Sequence, residues 1–185
     1  MKSFLQDALA TSAAMQATLL ELSPTLEKLG QAMFDCWGRR GKILTAGNGG
    51  SACDAVHLAE ELSVRYVKNR RALAAVALAD VGAITCAGND FGFDSVFQRQ
   101  VEALGNPGDL LVVFSTSGNS GNVIRAVEQA KTQQMKTAAF IGKDGGKLRG
   151  MCDFELLVPS PLTARVQEGH LLLYHTLCEW VESRL

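Results

Sequence analysis

The chain has 185 residues, of which 47% are hydrophobic and 20% charged, as expected for one globular domain and not for a disordered chain. Its 18 Lys and Arg nearly balance 19 Asp and Glu, which argues against a nucleic-acid partner and against a basic membrane anchor. No apolar run approaches the roughly 18 residues of a membrane span, and the N-terminus does not resemble a signal peptide. Five cysteines without metal-site spacing indicate reduced thiols. We therefore expect a cytoplasmic protein.

The first forty residues predict two amphipathic helices. Apolar residues recur at helical spacing from Leu5 to Leu20, and Ser23-Pro24 marks a break. A second helix follows and ends near Gly41. Such helices can cover the sheet or pack against other copies of the chain. We favour the second interpretation, with residues 1–40 serving oligomerisation.

From Lys42 onward, short apolar runs alternate with segments of helical spacing. The runs that predict strands are 43–46, 73–78, 110–114, 137–141 and 154–158. The segments that predict helices are about 51–66, 94–104, 119–134 and 162–184. This alternation predicts a three-layer α/β fold in which a parallel sheet is covered on both faces. Because no linker or repeat interrupts it, we expect a single domain over 1–185, with its α/β core at 41–185.

Two strand-to-helix turns are rich in glycine and hydroxyl groups. The first, after the first strand, is Gly47-Asn48-Gly49-Gly50-Ser51-Ala52, and the second, after the third strand, is Ser115-Thr116-Ser117-Gly118-Asn119-Ser120-Gly121-Asn122. Ligands of parallel sheets bind beyond the carboxyl ends of the strands. Glycines admit close backbone approach, helix N-termini attract anions and hydroxyls donate to phosphate oxygens. The pair of loops therefore predicts a site for a phosphorylated ligand, although either loop alone is equally typical of a helix cap.

The first loop also matches the dinucleotide fingerprint G-x-G-x-x-A, but its context does not fit. That fingerprint requires an acidic residue about 20 positions further on. The candidate, Asp80, lies 33 residues after Gly47. A G-x-x-x-x-G-K-[ST] motif is also missing. A nicotinamide oxidoreductase and a P-loop nucleotidase are therefore disfavoured.

Histidines and carboxylates recur at helical spacing in two segments. His57 and Glu61 are four residues apart and share a helix face. In the last helix His175 follows Glu168 by seven residues and Gln167 by eight, so periodicity favours Glu168 as its neighbour. Imidazole and carboxylate groups suit proton transfer near neutral pH and also suit a divalent metal ion. The residues alone leave both interpretations open.

A polar segment, Asn89-Asp90-Phe91-Gly92-Phe93, predicts a loop between the second strand and the next helix. Asn89 and Asp90 can bind sugar hydroxyls, although Asn-Asp before glycine is also ordinary loop chemistry. A second segment, Lys143-Asp144-Gly145-Gly146-Lys147, predicts a turn to which we assign no role in the site.

Taken together, these motifs resemble the SIS (sugar isomerase) family and, within it, the phosphoheptose isomerases. The resemblance spans nearly the whole chain. The motifs that carry it are Gly47-Asn48-Gly49-Gly50-Ser51, the segment from Asp54 through His57 and Glu61 to Leu62, Asn89-Asp90-Phe91-Gly92-Phe93, Ser115-Thr116-Ser117-Gly118-Asn119-Ser120, Gly142-Lys143-Asp144-Gly145-Gly146-Lys147, and Arg165-Val166-Gln167-Glu168-Gly169-His170 followed by His175. The chain departs from relatives at Ala52, where some carry histidine, and at Gly169, where a bulkier residue is expected.

The resemblance implies conversion of sedoheptulose 7-phosphate to D-glycero-D-manno-heptose 7-phosphate, an early step toward the heptose of bacterial lipopolysaccharide. It implies a five-stranded flavodoxin-like sheet and a homotetramer whose central bundle is formed by the N-terminal helices. It also implies active sites that lie between subunits.

The resemblance also assigns roles to individual positions. The residues that would hold the phosphate are Ser115, Thr116, Ser117 and Ser120. The residues that would line the sugar site are Asn48, Gly49, Gly50, Ser51, Asn89 and Asp90, and we add Gln167 to them. Some members of the family bind zinc, and the matching ligands are His57, Glu61, Gln167 and His175. This choice of Gln167 overrules the periodicity, which favours Glu168.

Aldose–ketose isomerisation moves a proton between adjacent carbons through an enediol. Glu61 is the candidate base, and His175 is the candidate that delivers or collects a proton at the sugar oxygen. A carboxylate bound to zinc is a poorer base, so the two roles assigned to Glu61 compete.

Two other members of the family provide the alternative function. One is a non-catalytic regulator that binds the replication initiator DnaA, and the other is the sugar-phosphate-sensing module of transcription factors. The first group lacks the full set of histidines and glutamate, whereas His57, Glu61 and His175 are all present here. The second carries an added DNA-binding domain for which 185 residues leave no room. The residues therefore favour the enzyme.

Overall fold

Five parallel strands form the central sheet of the computed structural model, which describes residues 1–185. The strands are β1 (Ile43–Gly47), β2 (Ala75–Ala77), β3 (Leu110–Ser115), β4 (Lys136–Gly142) and β5 (Phe154–Val158). The helices are α1 (Lys2–Gln16), α2 (Ser23–Gly38), α3 (Gly50–Ser63), α4 (Val81–Phe91), α5 (Val96–Leu104), α6 (Gly121–Thr132) and α7 (Thr163–Glu182). The three-layer α/β fold is confirmed, including all five predicted strands.

The order of the strands places a topological switch point between β1 and β3. The sheet runs β2-β1-β3-β4-β5, and all neighbouring strands are parallel. Gly47, the last residue of β1, pairs with Phe114 near the end of β3. The two predicted phosphate loops therefore start side by side at one edge of the sheet, which is where ligands bind in folds of this class.

Two apolar clusters, one on each face of the sheet, cover the strands. The first cluster joins β-strand side chains to α2, α3 and α7, and includes Leu29, Leu58 and Leu177. The second joins them to α4, α5 and α6, and includes Val96 and Val123. Strands β1 and β3 are buried along their entire length, which explains their near-continuous apolar sequences. The helices α3 and α6, which follow the two phosphate loops, consequently lie on opposite faces.

Helix α1 contributes little to the core of a single chain. Met15 is its one buried residue, whereas Phe4, Leu5 and Leu9 are each more than half exposed. A hydrogen bond of 2.9 Å from Arg165 of α7 to the carbonyl oxygen of Ala8 attaches α1 to the rest of the chain. None of the helices combines the length and the apolar character needed to cross a membrane.

The prediction of a loop at Asn89-Asp90 is wrong, because these residues form the end of α4. Helix α4 starts at an N-cap in which the carboxylate of Asp80 accepts a hydrogen bond of 2.7 Å from the backbone N–H of Ala83. Gly82 lies within the helix and lowers its helix propensity, so the sequence did not predict a helix here. Asp80 is therefore a helix cap, consistent with its exclusion as a ribose ligand.

Gly169 has a packing role within α7. A Cβ at this position would lie 2.8 Å from Cγ1 of Val158 and 3.0 Å from Sδ of Met15. A larger residue would therefore push α7 away from β5 and from α1. Glycine here is what lets the three elements approach one another.

Candidate active site

The two phosphate loops are joined by a pair of asparagine side chains. The amide nitrogen of Asn48 donates to Oδ1 of Asn122, and the amide nitrogen of Asn122 donates to Oδ1 of Asn48, both at 2.9 Å. Asn122 is buried at the start of α6. Gly49 caps α3 with φ +55° and ψ −124°, a conformation that favours glycine. The next residues, Gly50 and Ser51, form the first turn of α3, and Ser51 is buried.

Two of the four predicted phosphate-binding hydroxyls shape the second loop. Oγ of Ser115 accepts a hydrogen bond of 3.1 Å from the N–H of Gly118, and Oγ of Ser117 accepts one of 3.2 Å from the N–H of Asn119. Hydroxyls that accept a bond can still donate one to a ligand. The hydroxyls of the other two, Thr116 and Ser120, have no side-chain hydrogen bond within the chain, and Ser120 is the N-cap of α6. The free N–H groups of this helix start face the same loop.

His57, Glu61 and His175 come together from two helices. Nε2 of His57 lies 3.0 Å from Oε1 of Glu61, one turn further along α3. The ring centres of His57 and His175 are 5.1 Å apart, with their planes nearly perpendicular. One donor atom from each of the three residues lies within 4.8 Å of the others. The predicted acid–base residues therefore share one cluster, formed by residues 118 positions apart in sequence.

His175 is half-buried and its imidazole is available for proton transfer. Its Nε2 is shielded from solvent and has no hydrogen-bond partner. Burial, reinforced by the neighbouring His57, lowers the pKa of His175 below the ordinary imidazole value. The ring of Tyr66 packs against it with ring centres 5.4 Å apart. These surroundings favour a neutral His175 imidazole at physiological pH.

Two buried residues beneath the cluster were missed by the sequence analysis. The hydroxyl of Tyr174 lies 2.9 Å from Nδ1 of His57. Asp54, one turn before His57 on α3, is buried, and burial raises the pKa of its carboxyl group to about 6. Helical spacing places Asp54 on the same face as His57, so this signal was present in the sequence. Tyr174 had no such signal, because its partner lies on another helix.

Gln167 and Glu168 lie on different sides of α7. The amide of Gln167 lies against Gly50, where a Cβ would overlap with it. Glu168 instead pairs with Arg165 and is absent from the cluster around His175. Gln167 therefore faces the first phosphate loop. Eight residues, or about 12 Å of helix rise, separate it from His175, and its role as a metal ligand stays a prediction.

Asn89 and Asp90 are not brought to the cluster within a single chain. Both are exposed at the end of α4, and their recorded side-chain partners are each other, at 2.8 Å, and Cys86, at 3.5 Å. Their role in the sugar site therefore stays a prediction that a single chain does not support.

His57, one member of the cluster, borders a shallow hollow that is open to solvent. This depression, of about 420 Å³, is lined by residues of α3, namely Ala52, Cys53, Val56, His57 and Glu60. The His57 side chain retains 41% of its accessible surface, against 14% for Glu61. A second hollow, of about 270 Å³, lies between α2 and the opposite edge of the sheet, away from the residues of the cluster.

The chain matches known proteins over most of its length. Residues 4–142 match the family model of the SIS domain. The phosphoheptose isomerase of Fusobacterium nucleatum is 49% identical over 156 residues, which cover 84% of this chain and 80% of that protein. Among solved structures, the phosphoheptose isomerase of Neisseria gonorrhoeae superposes with a TM-score of 0.93 and 44% identity over 98% of both chains. That of Francisella tularensis superposes with a TM-score of 0.94 and 38% identity over 98% of this chain and 97% of that one.

A doubly wound sheet with two phosphate-type loops at its switch point, and an acid–base cluster formed in part by the helix that follows the first loop, defines a class of α/β enzyme that acts on phosphorylated ligands. The matches make the assignment more specific: the chain belongs to the SIS domain family and, within it, to the phosphoheptose isomerases. It is accordingly an aldose–ketose isomerase.

Proposed function

We propose that the cluster of His57, Glu61 and His175 catalyses the conversion of sedoheptulose 7-phosphate to D-glycero-D-manno-heptose 7-phosphate. The main support is that the carboxylate and imidazole of two α3 residues lie close to an imidazole of α7. The likeness to phosphoheptose isomerases supports the choice of substrate. The alternative of a non-catalytic regulator is not favoured, because it gives no reason for this cluster to be assembled.

Glu61 acts as the base in this proposal. Its carboxylate removes a proton from the carbon next to the ketose carbonyl and returns it to the adjacent carbon, so the sugar passes through an enediol. Oε1 of Glu61 lies 3.0 Å from Nε2 of His57, which holds the carboxylate in one orientation. Positioned acid–base groups typically contribute about 10²–10⁴-fold to the rate.

His175 moves the second proton, between the two sugar oxygens. A neutral imidazole carries one N–H donor and one acceptor nitrogen. It can therefore protonate the carbonyl oxygen as the enediol forms and collect a proton from the neighbouring hydroxyl. The buried Nε2 without a partner is the atom that we assign to this transfer.

The phosphate of the substrate is held at the second loop. The support is the set of hydroxyls at Ser115, Thr116, Ser117 and Ser120 together with the start of α6. Charge-assisted hydrogen bonds to a phosphate fix the orientation of the sugar chain. The asparagine pair then fixes this loop relative to the first loop, whose residues line the sugar site.

The residues of the cluster fit a zinc ion. Two imidazoles and one carboxylate are a familiar donor set for catalytic zinc, which retains an open coordination position. The partnerless Nε2 of His175 is an available donor next to the His57–Glu61 pair. When bound there, zinc supplies electrostatic stabilisation of negative charge on the substrate oxygens. We propose His57, Glu61 and His175 as the ligands of this zinc ion. Gln167 is the fourth ligand predicted from the sequence. Glu61 and His175 carry out the two proton transfers when they are not bound to the metal.

We further propose a homotetramer with active sites at its interfaces. Phe4, Leu5 and Leu9 of α1 are exposed in one chain, and burial of such residues is the usual reason for helix association. His57 also borders an open hollow, which a second subunit would enclose. Asn89 and Asp90 would reach a sugar site only from such a neighbour.

The five cysteines form no disulfide, which supports a place in the reducing cytoplasm.

The proposal is tested by assaying isomerisation of sedoheptulose 7-phosphate by the wild type, Glu61→Gln and His175→Gln, with Glu60→Gln as a matched control. Glu60 is the exposed neighbour of Glu61 on α3. We expect loss of about 10²–10⁴-fold in kcat for the first two variants and no comparable loss for the control. Loss of activity with a chelator and recovery with zinc would support the metal. A folded wild type without turnover in either condition would contradict the proposal, and sedimentation of a stable monomer would contradict the shared site.

A further inference from the structure

Tyr174 is buried beneath the cluster of His57, Glu61 and His175. Its side chain is 1% exposed and packs edge-on against the rings of Phe114 and His57, with ring centres 5.9 Å and 5.5 Å away. Its hydroxyl has one hydrogen-bond partner, Nδ1 of His57, at 2.9 Å. Since buried polar groups are nearly always hydrogen-bonded, this contact satisfies both atoms at once.

The His57 ring is therefore held at both nitrogens. Nε2 faces Oε1 of Glu61 at 3.0 Å, and Nδ1 faces the Tyr174 hydroxyl. An ionised carboxylate can only accept a hydrogen bond. In this arrangement a neutral His57 carries its hydrogen on Nε2 and donates it to Glu61, while Nδ1 accepts from the Tyr174 O–H.

A metal ion on Nε2 would require the opposite tautomer of His57. The ring hydrogen would then lie on Nδ1, which must donate to a neighbour. A phenol hydroxyl rotates about its C–O bond and can both donate and accept. Tyr174 is thus a partner that suits both tautomers, whereas a backbone carbonyl or amide N–H would suit one.

We infer that Tyr174 is the positioning residue of His57, which fixes the ring through Nδ1 in both tautomers and directs Nε2 toward Glu61 and His175. The next residue along α7 is His175 itself, so one turn of this helix supplies both a member of the cluster and the support of another. The metal-dependent part of this inference rests on the proposed zinc site, and the part that concerns the metal-free ring does not.

Tyr174→Phe tests the inference, because it removes one oxygen and keeps the buried ring. Tyr66→Phe is the matched control, since Tyr66 also packs against His175 but its hydroxyl faces Glu179 at 3.4 Å. Zinc affinity is measured by competition with a chromophoric chelator. We expect Tyr174→Phe to bind zinc about 10- to 100-fold more weakly than the wild type, as for the loss of other partners of metal-binding histidines. The control should bind zinc as the wild type does.

The second readout is the ¹⁵N spectrum of the His57 ring in metal-free protein, recorded at about pH 8, above the ordinary imidazole pKa of about 6.5. We expect the hydrogen on Nε2 in both proteins, because Glu61 still accepts it, and a shifted Nδ1 resonance in Tyr174→Phe, because Nδ1 has lost its hydrogen-bond donor. If the variant leaves both the zinc affinity and the Nδ1 resonance unchanged, the inference is wrong. A wild-type ring that already averages between tautomers overturns it as well, even if the variant does not fold. A wild type that binds no zinc refutes the proposed metal site, and the Nδ1 resonance then decides the role of Tyr174 alone.

Discussion

Asn48 and Asn122 exchange two hydrogen bonds of 2.9 Å between their side-chain amides, although 74 residues separate them in sequence. The pair lies between the two loops at the switch point of the sheet, each of which follows a different strand and leads to a helix on a different face. The two loops are thereby held as one unit.

We expect Asn48 and Asn122 to be energetically coupled. Asn48→Ala and Asn122→Ala each leave the other amide without its partner, which costs about 1–3 kcal/mol for a buried group. The double variant should therefore lose no more stability than the worse single variant. Urea unfolding of the three variants and the wild type measures this coupling. Strictly additive losses would mean that the two amides do not act as a pair.

Gly50→Ala should weaken the site without unfolding the protein. The new methyl group would overlap with the amide of Gln167, a flexible side chain that can move aside. We expect a rise in KM for the phosphorylated sugar with little change in melting temperature. Gly38→Ala, in α2, meets nothing within 4 Å and is the control. Equal KM values for both variants and the wild type would show that the position of Gln167 does not matter for binding.

Glu182→Gln should destabilise the segment that connects α3 to β2. The carboxylate of Glu182 accepts hydrogen bonds of 3.0, 3.1 and 2.9 Å from the N–H groups of residues 66, 67 and 68, and one of 3.1 Å from Nε of Arg70. Removal of one partner of a buried ion pair costs about 3–5 kcal/mol. Glu179→Gln, one turn earlier, should change the free energy of unfolding by less than about 0.5 kcal/mol.

The loss of folding stability in Glu182→Gln should also depend on pH. These bonds lower the pKa of Glu182 below 4.5 despite its burial. The stabilisation is therefore fully present above the ordinary pKa and disappears as the pH falls through the lowered one. Unfolding measured from neutral to acidic pH should show the wild type and the variant converging in acid. A constant difference across the range would contradict the role of the charge.

His170 should make the protein less stable in mild acid. Its ring is fully buried between Phe114 and Phe140, and neither nitrogen makes a well-formed hydrogen bond. Burial lowers its pKa to about 4 from 6.5, partly opposed by the nearby backbone of Ile141. Between these values the unfolded chain binds a proton that the folded chain does not, so stability falls as the pH decreases, by up to about 3 kcal/mol.

His170→Leu should remove that part of the pH dependence. The difference in free energy of unfolding between the variant and the wild type should grow in favour of the variant from about pH 6.5 to about pH 4. Parallel curves for the two proteins over this interval would show that the buried imidazole is not responsible.

The sequence predicted the sheet better than it predicted the site. Continuous apolar strands and glycine-rich turns are local signals, and both loops lie where they were expected. Helix α4 was missed because Gly82 lowers its propensity and the Asn89-Asp90 segment has turn-like composition. Helical periodicity predicted that Glu168 lies near His175. In the structure the Glu168 carboxylate pairs instead with Arg165, which also contacts α1.

The residues that support the site could not be found from local patterns. Asn122, Tyr174 and Glu182 act through partners on other elements, at separations of 74 to 117 residues. No spacing rule within one helix or strand reports such pairs. They become visible only in the folded chain, where the two loops meet through Asn48 and Asn122 and α3 packs against α7.

Proton transfer by Glu61 on a heptose phosphate can be followed by ¹H NMR of sedoheptulose 7-phosphate incubated with the protein in D₂O. We predict that the wild type forms D-glycero-D-manno-heptose 7-phosphate with deuterium at the carbon that receives the proton, because the base exchanges with solvent while the enediol is present. Glu61→Gln should form product and deuterated sugar about 10²–10⁴-fold more slowly than the wild type. Unchanged turnover by folded Glu61→Gln would show that Glu61 is not the base, and a folded wild type that leaves the sugar unconverted and unlabelled would show that this sugar is not its substrate.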